Sequence, residues 1–268
     1  MVSFSVSGLT GLINQMLPEP HAGLLAGLLF GTKASLSPDF KDALIKTGTL
    51  HIIALSGMNI TILMNIVCGI WQKFIGKRFA SVFSMCGIIW FVAFVGPSPT
   101  IVRAAIMGSI SLFAVLFGRQ YLALISWTIA IGAMLAVNRL WITDISFQLS
   151  SLATLGIILF GKSDRNTKGP MILNVIREDL HLTFAAQVFT IPLILFHFHR
   201  VSISSPLANI AIGWVIPPLT FLGWVMVFLG WIFLPIGQVI AWACWVLLKY
   251  IILVIYIAST VPYASFSW

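Results

Sequence analysis

Eight apolar stretches recur along the chain, near residues 50–71, 80–95, 100–117, 121–137, 146–160, 182–198, 206–230 and 238–258. Each is at or slightly below the roughly 17–25 residues that cross a bilayer as a helix. Hydrocarbon offers no water to backbone amides, so segments of this kind pair them internally, as a helix or a closed barrel does. Barrel strands would alternate in polarity, whereas these runs are rich in Leu, Ile, Ala and Gly throughout. The expected fold is therefore all-α, a polytopic transmembrane helical bundle of about seven or eight spans. Composition agrees: 59% of the 268 residues are hydrophobic and 8% are charged, where a soluble domain carries roughly 25% charge.

Counting basic residues in alternate loops gives the orientation. Lys73, Lys77 and Arg78, then Arg119, then Lys162, Arg165, Lys168 and Arg177 fall on one side, while the other holds Arg139 and Arg200. The positive-inside rule places the first set in the cytoplasm, as in a multi-pass protein of the cell membrane. The C-terminus and the residues before 48 then lie outside. This topological bias also accounts for net charge of the kind seen here, +8. Cys68, Cys86 and Cys244 sit inside apolar runs at spacings that suit neither a disulfide framework nor a metal site. Met1 to Thr10 lacks the basic and apolar regions of a secretory signal, and the start reads more as a cut than as a natural N-terminus.

Residues 1–48 are expected to form an N-terminal interfacial or re-entrant helical segment, followed by a transmembrane domain over 49–268. Residues 20–31 are too short to cross, and Gly23, Gly27 and Gly31 fall four apart, the spacing that lets helix backbones approach closely. Ser37-Pro38-Asp39 predicts a helix start with Ser37 as N-cap and Pro38 at the first helical position. Phe40, Ala43 and Leu44 then interleave with Lys41, Asp42 and Lys46, a pattern suited to the interface plane.

Polar side chains at bilayer depth cost roughly 2.5–3.5 kcal/mol when charged, so each is a functional candidate. The first group is His51, Ser56 and Asn59, with Gly57 weakening the helix between them. The second is Arg103, one turn into a helix that follows Gly96-Pro97-Ser98-Pro99-Thr100 and carries the small-residue pairs Ala104/Gly108 and Ala105/Ser109. A snorkelling Arg103 is the plain alternative to one facing a path. The third is Asp144, Gln148 and Ser151, one stripe on a helix otherwise apolar from Ile145 to Phe160, read as a pore or interhelical face. Gln187 and Pro192 lie in the 182–198 run, Asn209 near the start of the next, and Pro217-Pro218 should break that one. Lys249 reaches mid-bilayer if 238–258 is one span; a helix ending near Tyr250, the reading preferred here, would let it snorkel. The charges that can reach membrane depth, Arg103 and Lys249, are both basic, so a path would suit a neutral or anionic substrate rather than a cation.

Other chemistries find little purchase. His197-Phe198-His199 is half a zinc motif, followed by Arg200, Val201 and Ser202 where further ligands belong, so no metal or cofactor is expected. An intramembrane hydrolase would need a base beside Ser56, but His51 lies about 140° away round an ideal helix. Gly31-Thr32-Lys33 lacks the ending of a phosphate-binding loop, so the chain is not expected to power transport itself or to be an enzyme. A secondary transporter of a small neutral or anionic solute remains the alternative function, although no convincing internal repeat supports it.

One set of blocks resembles a known family. Gly27-Leu28-Leu29-Phe30-Gly31, Thr47-Gly48-Thr49-Leu50-His51 through Ser56-Gly57, Arg103-Ala104-Ala105-Ile106-Met107 with Gly118-Arg119, Asp144 to Ser150, Thr190-Ile191-Pro192-Leu193 and Ser205 to Asn209 follow in the order of the ComEC family, the membrane channel for DNA uptake in natural transformation. The resemblance implies a competence domain that passes single-stranded DNA across the cytoplasmic membrane. It implies as partners an extracytoplasmic DNA receptor, a cytoplasmic helicase motor, membrane lipids and possibly a separate nuclease. Many relatives carry a second His two residues after the Ser-Gly pair, where this sequence has Asn59.

Overall fold

The computed structural model describes residues 5–32, 36–50, 57–161, 171–198, 200–202, 205–260 and 265–267. Among them the chain is almost entirely helical, as its composition requires. The helices are α1 (Val6–Met16), α2 (His21–Phe30), α3 (Pro38–Lys46), α4 (Gly57–Val95), α5 (Pro99–Leu116), α6 (Ala123–Val137), a 3-10 turn (Arg139–Thr143), α7 (Ile145–Phe160), α8 (Met171–Phe198), α9 (Ser205–Gly213), α10 (Ile216–Ile232) and α11 (Leu234–Thr260). Two three-residue strands, β1 (Arg200–Ser202) and β2 (Ser265–Ser267), pair with each other.

Among the described residues four helical segments are long and apolar enough to cross a membrane unaided: Arg78–Val95, Pro99–Leu116, Leu180–His197 and Leu234–Thr260. A fifth crossing arises if Leu207–Gly213 and Ile216–Ile232, bent by 45°, act as one broken span. That bend falls where Pro217-Pro218 predicts it. The two prolines occupy the opening turn of α10, where their missing N–H groups would be unpaired in any case. Pro192, by contrast, lies inside α8, which continues through it.

Glycine sets two of the chain's corners. Gly76 interrupts α4 with φ 78° and ψ 163°, and Gly96, with φ 104°, ends it before Pro97. Both lie in the left-handed half of φ space, where a Cβ is disfavoured. α3 starts as read from the sequence, with the Ser37 hydroxyl accepting from the Phe40 amide at 3.4 Å and Pro38 at the first position.

The helices gather into two compact units. The first comprises residues 1–65, 90–96 and 202–265, so the N-terminal 48 residues share a core with α9, α10 and α11. At its centre α2 is buried on every side from Ala22 to Phe30. A helix apolar all round fits such a place, and Gly223 of α10 lets Leu25 and Leu29 come close. α3 lays Phe40, Ala43 and Leu44 into the same core, with Phe40 tilted on Tyr256 of α11 at 5.8 Å. Its outer face keeps Lys46 paired with Asp42 at 2.8 Å. α10 and α11 pack through Gly230 and Gly237, where a Cβ on Gly237 would meet the Gly230 backbone.

The second unit comprises residues 66–89, 97–201 and 266–268. Here α7 and α8 form the closest seam, because Gly156 sits directly against the Ala185 carbonyl. α5 meets both α6 and α7, and Gly108 of α5 faces Ile88 of α4.

Candidate functional site

The second unit brings the predicted polar residues of α5 and α7 together. Asp144 is the N-cap of α7, its carboxylate accepting from the Phe147 amide at 2.9 Å. That placement suits a negative charge, since the first-turn amides and the helix dipole both favour it. Gln148 folds back over the helix start, its Nε2 donating to the Ile142 carbonyl at 2.7 Å while its Oε1 stays buried without a partner. Ser151 is buried, and its hydroxyl also lacks a partner among the described residues. The stripe therefore faces protein more than lipid.

Arg103 reaches α7 as well. Its guanidinium donates to the Ser150 carbonyl, and its buried Nε has no partner among the described residues. A snorkelling side chain would run toward the headgroups; this one points at a neighbouring helix. Among the described residues it meets no carboxylate, the ion pair there being Lys46–Asp42. A neutral carbonyl compensates a guanidinium charge only partly.

Trp127 of α6 completes the junction and was not foreseen from the sequence. Its indole N–H donates to the Ser151 carbonyl at 3.0 Å, one residue from the Arg103 acceptor. The Ser150 carbonyl accepts a second side chain, the Thr154 hydroxyl at 2.9 Å. Two successive mid-helix carbonyls thus hold donors from two other helices. Ser126, next to Trp127, is buried, and its hydroxyl has no partner among the described residues. Buried polar groups lacking partners at one junction are what a hydrated or ligand-binding site would satisfy. Trp127→Phe should keep the ring's packing and lose the indole donor, lowering the melting temperature of purified protein by an amount matching about 0.5–1.5 kcal/mol. An unchanged melting temperature would show that the bond contributes nothing.

The other candidates lie apart from this junction or beyond description. Gln187 is half-buried on α8, in the same unit. Asn209 sits on α9 of the first unit, its Nδ2 donating to the Ser205 hydroxyl at 3.4 Å and its Oδ1 buried without a partner. Asn59 falls in the first turn of α4, its side chain outside the described part. His51 and Ser56 lie outside the described residues, as does most of the basic 162–177 loop.

Lys249 corrects the sequence reading. α11 does not end near Tyr250 but continues to Thr260, so Lys249 lies 15 residues from one end and 11 from the other. At about 1.5 Å per residue that is roughly 22 and 16 Å, too far for a lysine stem to bridge. Its ammonium sits 4.8 Å from the ring centroid of Trp245, and that indole stacks on His21 at 5.6 Å. A cation–π contact contributes about 0.5–2 kcal/mol, less than the roughly 2.5–3.5 kcal/mol that a cation at such depth costs. His21 belongs to α2, which is too short to span by itself.

Fold and polar junction together define a class: a multi-helix membrane protein with cationic and amide groups drawn into its interior. Its sequence places it more narrowly, for residues 28–268 match the family model described as Competence protein, and the chain belongs to that family. It is 25% identical over 209 residues to ComE operon protein 3 of Bacillus subtilis, covering 78% of this chain and 26% of that protein. It is 29% identical over 202 residues to Recombination protein 2 of Haemophilus influenzae, covering 70% and 26%. To the uncharacterized protein YcaI of Escherichia coli it is 23% identical over 224 residues, covering 80% and 29%. The chain thus spans a little over a quarter of the length of these relatives. No solved structure matches it.

Proposed function

We propose that this chain forms the conduit by which single-stranded DNA crosses the cytoplasmic membrane during natural transformation, with about seven or eight crossings. The observation that carries the reading is the α5–α6–α7 junction, where Arg103 enters a helical bundle with no counterion among the described residues and buried donors and acceptors have no partner among them. A strand bearing one negative charge per nucleotide needs such groups to replace water. Membership of the Competence protein family supports it. Reaching seven crossings requires the shorter apolar helices α6 and α7, of 15 and 16 residues, to traverse as well. At about 1.5 Å per residue these measure roughly 22–24 Å, short of a full core unless the bilayer thins or the flanking turns contribute.

Arg103, Asp144, Gln148, Ser151, Gln187 and Asn209, with His51, Ser56 and Asn59, are the residues proposed to line or support the path. A DNA receptor outside, a helicase motor inside and a separate nuclease would complete the system. Deleting the gene and scoring DNA internalisation separately from surface DNA binding tests the function. Loss of internalisation with retained surface binding is expected; equal uptake would refute it. Gln148→Leu refines the test, because it removes an unpartnered buried oxygen and makes α7 more lipid-like. The variant should reach normal abundance with uptake reduced several-fold, and wild-type uptake would make Gln148 merely structural.

A further inference from the structure

Arg103 is not the lone deep cation. In the first unit, Lys249 projects from the middle of α11 on a face whose other exposed members, at spacings of three and four, are Val239, Trp242, Val246 and Leu253. An isolated ammonium on such a stripe has no solvent to meet unless something polar reaches it. Its stem is held in place: Trp245, one turn earlier, supports the charge from below, and His21 backs the indole from α2. Lys249 pairs with no carboxylate among the described residues.

We propose that Lys249, propped on Trp245 over His21, is a phosphodiester-binding cation at membrane depth, a second contact for the strand besides Arg103. The proposal rests on the conducting function above. Depth selects the ligand. Lipid phosphates lie at the two ends of α11, whereas the middle is reached only by an anion that itself enters the membrane domain. A compact ammonium suits a moving polyanion, since it attracts each phosphate in turn without the bidentate geometry of a guanidinium. The aromatic support keeps the charge at a fixed height while leaving its protons free to donate.

The test uses the full-length chain in phosphatidylcholine nanodiscs with a fluorescein-labelled single-stranded oligonucleotide, read by anisotropy over a salt series. Lys249→Met should fold at least as well as wild type, because methionine suits the apolar stripe. It should bind the oligonucleotide several-fold more weakly, with the slope of log affinity against log salt reduced by about 0.7, the share of one phosphate contact on a single strand. Lys249→Arg should keep both affinity and slope. Equal affinity and slope for wild type and Lys249→Met would overturn the Lys249 site and leave the conducting function standing, while a wild type that binds no oligonucleotide removes both. Nanodiscs doped with phosphatidylglycerol separate the remaining source of phosphate. If Lys249→Met loses bound phosphatidylglycerol by native mass spectrometry but not the oligonucleotide, the cation serves lipid and the proposal fails.

Discussion

Gly156→Val should abolish accumulation of folded protein. A Cβ built on Gly156 overlaps the Ala185 carbonyl oxygen and lies 3.4 Å from the Ala186 Cα, so the obstruction is backbone rather than a side chain able to turn aside. α7 and α8 would have to separate along the closest seam of the second unit. Overpacking of this kind costs about 1–3 kcal/mol even in forgiving cores, and in a membrane no hydrophobic force presses the helices back together. Gly156→Ala should be impaired in the same direction and less severely. Gly132 is the control: nothing lies within 4 Å of its added Cβ, and alanine there gains up to about 1 kcal/mol of helix propensity. Size-exclusion chromatography of detergent extracts gives the readout. A monodisperse Gly156→Val peak of wild-type height would mean that the α7–α8 seam is looser than described.

Features fixed by local chemistry were legible in the sequence. Ser37-Pro38 starts α3, Gly96-Pro97 ends α4, and the Pro217-Pro218 pair coincides with the bend between α9 and α10, because capping, left-handed glycine and missing amides act within a turn. Family membership was legible too, carried by blocks spread over most of the chain. Helix length was less so. Lys249 suggested a helix end near Tyr250, yet Ile251 to Ile257 is apolar enough to continue it, and the ammonium rests on Trp245, which offsets part of its cost.

Tertiary partners were the least legible. The Ser150 and Ser151 acceptors are main-chain carbonyls, which every residue owns, so nothing in the sequence marks them as the target of Arg103 and Trp127. Trp127 sits in an apolar helix among ten tryptophans, most of them expected at lipid or headgroup level. The Asp144–Gln148–Ser151 stripe was visible by its spacing. That Asp144 would cap α7 and Gln148 fold back to Ile142 depended on a helix boundary that periodicity places only within a few residues.

Arg103→Gln should reduce DNA uptake roughly ten- to hundredfold at normal membrane abundance, the span that corresponds to a charged hydrogen bond of about 1.5–3 kcal/mol. Glutamine is two bonds shorter and its amide nitrogen reaches only about the position of the Arg103 Nε, so the charge is withdrawn together with the Ser150 contact, and uptake is read per molecule of membrane protein. Its surroundings make that charge consequential. No carboxylate meets Arg103 among the described residues, its Nε is buried without a partner, and a passing phosphate would bind it more strongly than a neutral carbonyl does. Arg103→Lys should retain partial uptake, because a point charge still attracts phosphate but cannot grip it in a fork. Arg103→Met serves as the apolar control, lacking charge and donor alike; its uptake per molecule should fall at least as far as that of Arg103→Gln. A membrane anchor would give the reverse order, with uptake per molecule unchanged in Arg103→Gln, and that result would take Arg103 out of the path.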